Sequence, residues 1–243
     1  MNSLNFTLDK IKFATDKSTF KKAVELYESG KVTQVKGNIR AYMAVVIGSK
    51  PYQVSVDTRG YDYGDCTCYL GQNETLCKHM VALALYMVKN GRPLTEEDKK
   101  VIYTPRCSGK SGELGEKELA VVKRSITDAL RYIKPYNGPS RTWFVYQNSL
   151  SEGCNRLAAI VSEIPVSEQT AGLLVDLLLR LDRKLCTGGV DDSDGTVGGF
   201  IEEVVGVLQK FAKLNADCVN SFVKLRNRET CFGWEEDLLL LLK

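Results

Sequence analysis

The chain has 243 residues, 44% hydrophobic and 26% charged, an ordinary globular balance that argues against a disordered chain. A net charge of +3 is too small to argue for a polyanionic partner by itself. The absence of an apolar run of about 18 residues excludes a spanning helix, and Met1-Asn2-Ser3-Leu4-Asn5-Phe6-Thr7 lacks a leader pattern, so a soluble cytoplasmic protein is expected.

In chain order, Asp9-Lys10-Ile11-Lys12-Phe13-Ala14 reads as a short lead-in strand or turn. Asp16 or Ser18 is placed to cap a helix with Phe20, Ala23, Val24 and Tyr27 on one face, and Gly30 stops it. Three strand-like runs follow: Val32–Lys36, Tyr42–Ile47 and Tyr52–Val56. The links Gly37-Asn38 and Gly48-Ser49-Lys50-Pro51 are short and rich in turn formers, which predicts a three-stranded antiparallel meander.

The third strand runs toward Cys66-Thr67-Cys68; eight residues later come Cys77-Lys78-His79. His79 is the only histidine of the chain. The pattern C-x-C-x8-C-x-H supplies the four nitrogen and sulfur donors of a tetrahedral structural Zn²⁺, and four protein ligands leave no open position for catalysis. Cys66 and Cys68 project to one side of an extended strand end, whereas two residues that far apart on a helix diverge. Cys77 is therefore expected just before a helix that ends at Asn90-Gly91, His79 in its first turn, and Tyr69–Leu76 as a loop. Isolated buried thiols are the plain alternative, but they would give the lone histidine no reason to sit beside Cys77. A helix and sheet of this size bury limited apolar area, which a metal would supplement.

This stretch resembles the SWIM-type zinc finger, whose signature is C-x-C, a spacer, then C-x-H, with Ala82 at the small position of H-x-x-A. The resemblance implies Cys66, Cys68, Cys77 and His79 as ligands of a structural Zn²⁺. It further implies a protein partner, of the ATPase or recombinase type that such fingers accompany, or a nucleic acid. It covers residues 1–91, an α+β unit, and nothing beyond.

Residues 92–115, with Arg92-Pro93, a charged run and Pro105-Arg106-Cys107-Ser108-Gly109-Lys110-Ser111, read as a linker. Gly109-Lys110-Ser111 is not a phosphate loop, because Thr104 stands where the required glycine should be.

Residues 116–243 read as an all-α antiparallel bundle or short HEAT-like stack. Its helices are marked by Leu119 to Ile133, Trp143 to Ile164 with a bend near Gly153, Ser167 to Leu185, Val197 to Ala212, Val219 to Val223 and Trp234 to Leu242. Val190-Asp191-Asp192-Ser193-Asp194-Gly195 looks like a calcium loop but misses its ligand register, and a helix cap is expected. Cys107, Cys154, Cys186, Cys218 and Cys231 lie singly and are expected as free thiols of a reducing compartment.

Residues 1–60 hold ten Lys/Arg against five Asp/Glu, and the remainder 23 against 25. In that basic half Lys31, Lys36, Arg40 and Arg59 are candidate phosphate contacts, with Tyr42, Tyr52, Tyr61 and Tyr63 as stacking partners or packed strand residues. With the sole histidine committed to metal, Ser-His-Asp and Cys-His mechanisms have no base, and no enzyme is expected. The expected function is a zinc-binding, non-catalytic adaptor; direct DNA binding through the basic zinc-finger half is the alternative.

Overall fold

The computed structural model describes residues 4–139 and 143–242, so Met1–Ser3 of the expected leaderless start lie outside the described residues. It separates into two compact units, Met1–Val101 and Ile102–Lys243.

The first unit begins with a helix, α1 (Leu8–Ala14), where a strand or turn was expected. Ile11 and Phe13 mimic a period of two. The Thr7 hydroxyl, however, accepts from the Lys10 N–H as an N-cap, and Ile11 is buried on a helical face. Helix α2 (Lys17–Glu28) is capped by the Asp16 carboxylate, and Gly30 follows its end with φ +64°.

Four strands, not three, form an antiparallel sheet in sequential order: β1 (Val32–Gly37), β2 (Ala41–Ile47), β3 (Pro51–Asp57) and β4 (Gly60–Cys66). β2 and β3 pair without interruption from Ala41↔Asp57 to Ile47↔Pro51, whereas β1 bulges between Thr33 and Lys36. The fourth strand has no apolar alternation: Asp62, Tyr63, Gly64 and Asp65 are all exposed. Its place is set by the backbone ladder to β3, where Gly64 faces Val56 and a β-carbon there would fall 2.1 Å from the Ser55 carbonyl.

Ala44, Val46, Val54 and Val56 turn one face of the sheet to the core. Helix α4 (Lys78–Lys89) packs against that face and against α2, which buries Met80 through Leu85 without a break. A helix apolar on every side is stable only when so enclosed. It ends at Asn90 in the left-handed conformation, with Gly91 at φ +75°.

The expected linker 92–115 is an ordered part of both units. On the first, Leu94 is buried and α5 (Glu96–Lys99) is held by a Thr95–Asp98 capping box. The Lys12 Nζ donates to the Glu97 carbonyl at 2.7 Å, and Lys89 pairs with Asp98 at 2.7 Å. On the second, the Arg106 N–H donates to Ser162, the Ser108 hydroxyl to the Ile164 carbonyl, and Ser111 bridges Val166. Proline and glycine therefore mark extended docking here, not slack.

The second unit is helical: α6 (Glu116–Ala129), α7 (Trp143–Glu163), α8 (Glu168–Cys186), α9 (Thr196–Leu214), a 3₁₀ helix Ala216–Leu225, α10 (Glu236–Leu239) and a 3₁₀ turn Leu240–Leu242. Helix α7 continues through Gly153, whose missing β-carbon lets it approach Ile133. α9 packs on α7 and α8, and the 3₁₀ helix on α8 and α9. The acidic loop is a cap: both Asp192 oxygens accept at 2.8 Å, from the Val197 and Gly198 N–H groups. Burial is the main cause lifting the Asp192 carboxyl above its ordinary range.

Two of the five scattered cysteines are not free. Cys186, at the end of α8, is joined to Cys231 by a disulfide. No helix among the described residues is long and apolar enough to cross a membrane.

Candidate metal centre

The end of β4 delivers one half of the site and the start of helix α4 the other. Cys66 closes β4, where it pairs across from Val54. After Cys68 the chain, expected as a plain loop, forms one helical turn, α3 (Tyr69–Gln72), with Cys68 as its N-cap. Cys77 is the N-cap of α4 and His79 lies in its first turn. The site thus links a strand end to a helix start, as the two-residue spacings predict.

All four side chains are buried, and one ligand atom from each lies within 4.8 Å of the other three. The imidazole Nδ1 faces the sulfurs, 3.7 Å from Cys66 Sγ and 3.8 Å from Cys77 Sγ. Two backbone N–H groups point at sulfur: Cys68 N–H to Cys66 Sγ at 3.5 Å and Gly71 N–H to Cys68 Sγ at 3.4 Å. Such donors favour thiolates, the form that binds metal. The two buried thiols act on each other: the Cys66 side chain is the largest influence holding the Cys77 thiol down, and the Cys77 side chain in turn pushes Cys66 up.

The outer atom of the imidazole supplies a further fit. With Nδ1 turned to the sulfurs, the proton belongs on Nε2. Nε2 is buried with no hydrogen-bond partner and lies against Gly48, whose β-carbon would stand 2.8 Å from it. Tyr52 stacks on the ring with centroids 4.4 Å apart. Gly71 is just as constrained, because a β-carbon there would fall 2.3 Å from the Cys66 carbonyl oxygen. Spacing alone showed the four donors but not these wall residues. The glycines of the 48–51 and 71–73 turns were legible only as turn formers.

Three soft thiols and one imidazole at this separation suit Zn²⁺, which takes tetrahedral sulfur and nitrogen donors. A site with four protein donors has a folding role, since metal binding and folding share one free energy.

The candidate phosphate contacts are not brought together. Lys31 precedes β1, at the sheet end that carries the cysteines. Lys36, Arg40 and Arg59 lie at the opposite end, where the Thr58 N–H donates to the Arg40 carbonyl at 2.8 Å and links the two hairpin tips. All four are exposed, but Arg59 is spent on Asp57, with a 2.7 Å ion pair. Of the four tyrosines, Tyr61 is buried and bonded to Thr15, Tyr42 and Tyr52 are half-buried, and Tyr63 is exposed.

Around the centre lie Lys22 of α2, one of the cations of the basic half, and three residues that the sequence did not single out: Lys78 at the start of α4, and Tyr69 and Leu70 of α3. They line an open groove of about 310 Å³ whose floor includes Cys68, Cys77 and His79. Tyr69 and Leu70 are 80% and 43% exposed, although they come immediately after the buried ligand Cys68 in the chain.

Residues 52–87 match the family model of the SWIM zinc finger. No curated protein and no solved structure matches the chain. The match spans β4, both cysteine pairs and nearly all of β3 and α4. SWIM zinc fingers are non-catalytic modules that bind proteins or nucleic acids. The chain therefore carries a SWIM zinc finger with a structural zinc site, in which Cys66, Cys68, Cys77 and His79 form a buried metal-binding group.

Proposed function

We propose that this protein is a non-enzymatic adaptor: Zn²⁺, held by Cys66, Cys68, Cys77 and His79, orders the first unit so that it presents a protein-binding surface. The observation that carries the reading is the groove beside the metal group, whose exposed Tyr69 and Leu70 are fixed by the chain that carries Cys68. Exposed apolar residues anchored on a rigid element are the usual hallmark of a partner site.

Direct DNA binding is the weaker reading. A phosphate track needs several unpaired cations along one surface. Lys31 stands apart from Lys36 and Arg40, and Arg59 is neutralised by Asp57. The expected partner is a cytoplasmic protein, of the ATPase or recombinase type implied by the finger.

Affinity capture with the full chain tests this reading. Partner proteins should be retained by the zinc-loaded chain and lost with Cys77→Ala, which removes one ligand. Equal capture by both, or retention of nucleic acid alone with affinity falling steeply as salt rises, would contradict it.

A further inference from the structure

The groove at the zinc centre has a chemical character that narrows its occupant. Its apolar contacts are Tyr69 and Leu70, carried on a single turn that Gly71 presses against Cys66. Its charges are Lys22 and Lys78, and no carboxylate lines it. The rim adds the hydroxyls of Thr19 and Ser49, and the exposed Lys50 ammonium lies 5.8 Å from the Tyr52 ring.

We infer that this groove takes an acidic peptide segment of a partner protein: one large apolar side chain seated against Tyr69 and Leu70, with flanking Asp or Glu side chains paired to Lys22 and Lys78. The inference rests on the adaptor reading and names the partner's chemistry. A volume of about 310 Å³ has room for an anchor side chain but not for an extended ligand. Buried aromatic or aliphatic anchors supply most of the energy at such sites, while charges on the rim set the choice of partner and the rate of encounter. A groove with cations and no acids attracts carboxylates and repels basic segments.

A nucleic-acid strand fits the same surface less well. It would stack a base on Tyr69, but its next phosphates would need further cations along one path, and Lys36, Arg40 and Arg59 lie at the far end of the sheet.

The test uses the full zinc-loaded chain, immobilised and panned against a random dodecapeptide phage library. Enriched peptides should share one aromatic or large aliphatic residue flanked by Asp or Glu. A fluorescein-labelled peptide of the enriched sequence should then lose affinity at least tenfold on Lys22→Glu and on Leu70→Ser. Lys22 lies on α2 and is not itself a ligand, and zinc content measured on each variant separates loss of contact from loss of fold. Tyr63→Ser, on β4 outside the groove, should leave affinity unchanged.

No enrichment, enriched peptides without acidic residues, or affinity indifferent to both groove substitutions would overturn the proposal. So would a 20-mer of single-stranded DNA that binds more tightly than the peptide and is lost in the same variants. If partner capture persists in Lys22→Glu and Leu70→Ser but fails in Cys77→Ala, the adaptor reading stands and the groove is not its site.

Discussion

Gly48 and His79 are in a contact that only glycine permits: a β-carbon at Gly48 would sit 2.8 Å from the imidazole Nε2 and 3.0 Å from the ring of Tyr52. The turn between β2 and β3 thus serves as the outer wall of the metal group and fixes the plane in which Nδ1 faces the sulfurs. Gly48→Ala is expected to rotate or displace the imidazole and to weaken zinc affinity about 10- to 100-fold, the range seen when support around a metal ligand is lost. Competition with a zinc-binding dye measures it. Lys36→Ala, at the opposite end of the sheet, should leave the affinity unchanged.

A buried ion pair holds α7 in the second unit. Glu152 is fully buried, and Arg156 one turn later donates to it through Nε at 3.1 Å and Nη2 at 2.8 Å while lying over the Tyr132 ring. Removing one partner of such a pair leaves the buried charge less well compensated. Arg156→Met should destabilise the second unit by about 3 kcal/mol in denaturant unfolding, and Glu152→Gln/Arg156→Met together by less than the single change. Zinc content should not alter in either.

The Cys186–Cys231 bond ties the end of α8 to the chain ahead of α10 across 45 residues. The Asp182 carboxylate supports the same junction by accepting from the Cys231 N–H at 2.9 Å and the Trp234 indole at 3.0 Å. Cross-linking a loop of that length restricts the unfolded chain by about 4 kcal/mol in the entropic account. Cys186→Ser should therefore lower the unfolding midpoint of the second unit without changing that of the first, read by calorimetry on the full chain. Mapping of the peptides joined by a disulfide should find this pair in the parent protein.

Much of the first unit could be read from residues because its signals are local. Asp16, Gly30 and Asn90-Gly91 punctuate two helices, and two apolar runs divided by Gly48-Ser49-Lys50 mark β2 and β3. The cysteines and the lone histidine disclose the metal group because donor chemistry restricts spacing. What escaped was decided by the rest of the molecule. β4 is polar and exposed and exists because β3 offers it a ladder; α1 is set by a threonine cap and the burial of Ile11. The segment 92–115 has the composition of a linker but gains order from partners tens of residues away, such as Ser162 and Gln169. Disulfide pairing is likewise a property of the fold, since Cys186 and Cys231 are distant in sequence.

Zinc is the tie between β4 and α4 on which the first unit most depends. Metal analysis of the purified full chain, alongside its folding by heteronuclear NMR before and after chelation, tests this directly. One zinc per chain is expected, with resonances of the first unit collapsing on removal while those of the second persist. The same collapse is expected for Cys77→Ala. A chain that is free of metal and yet shows the first unit fully folded would contradict it.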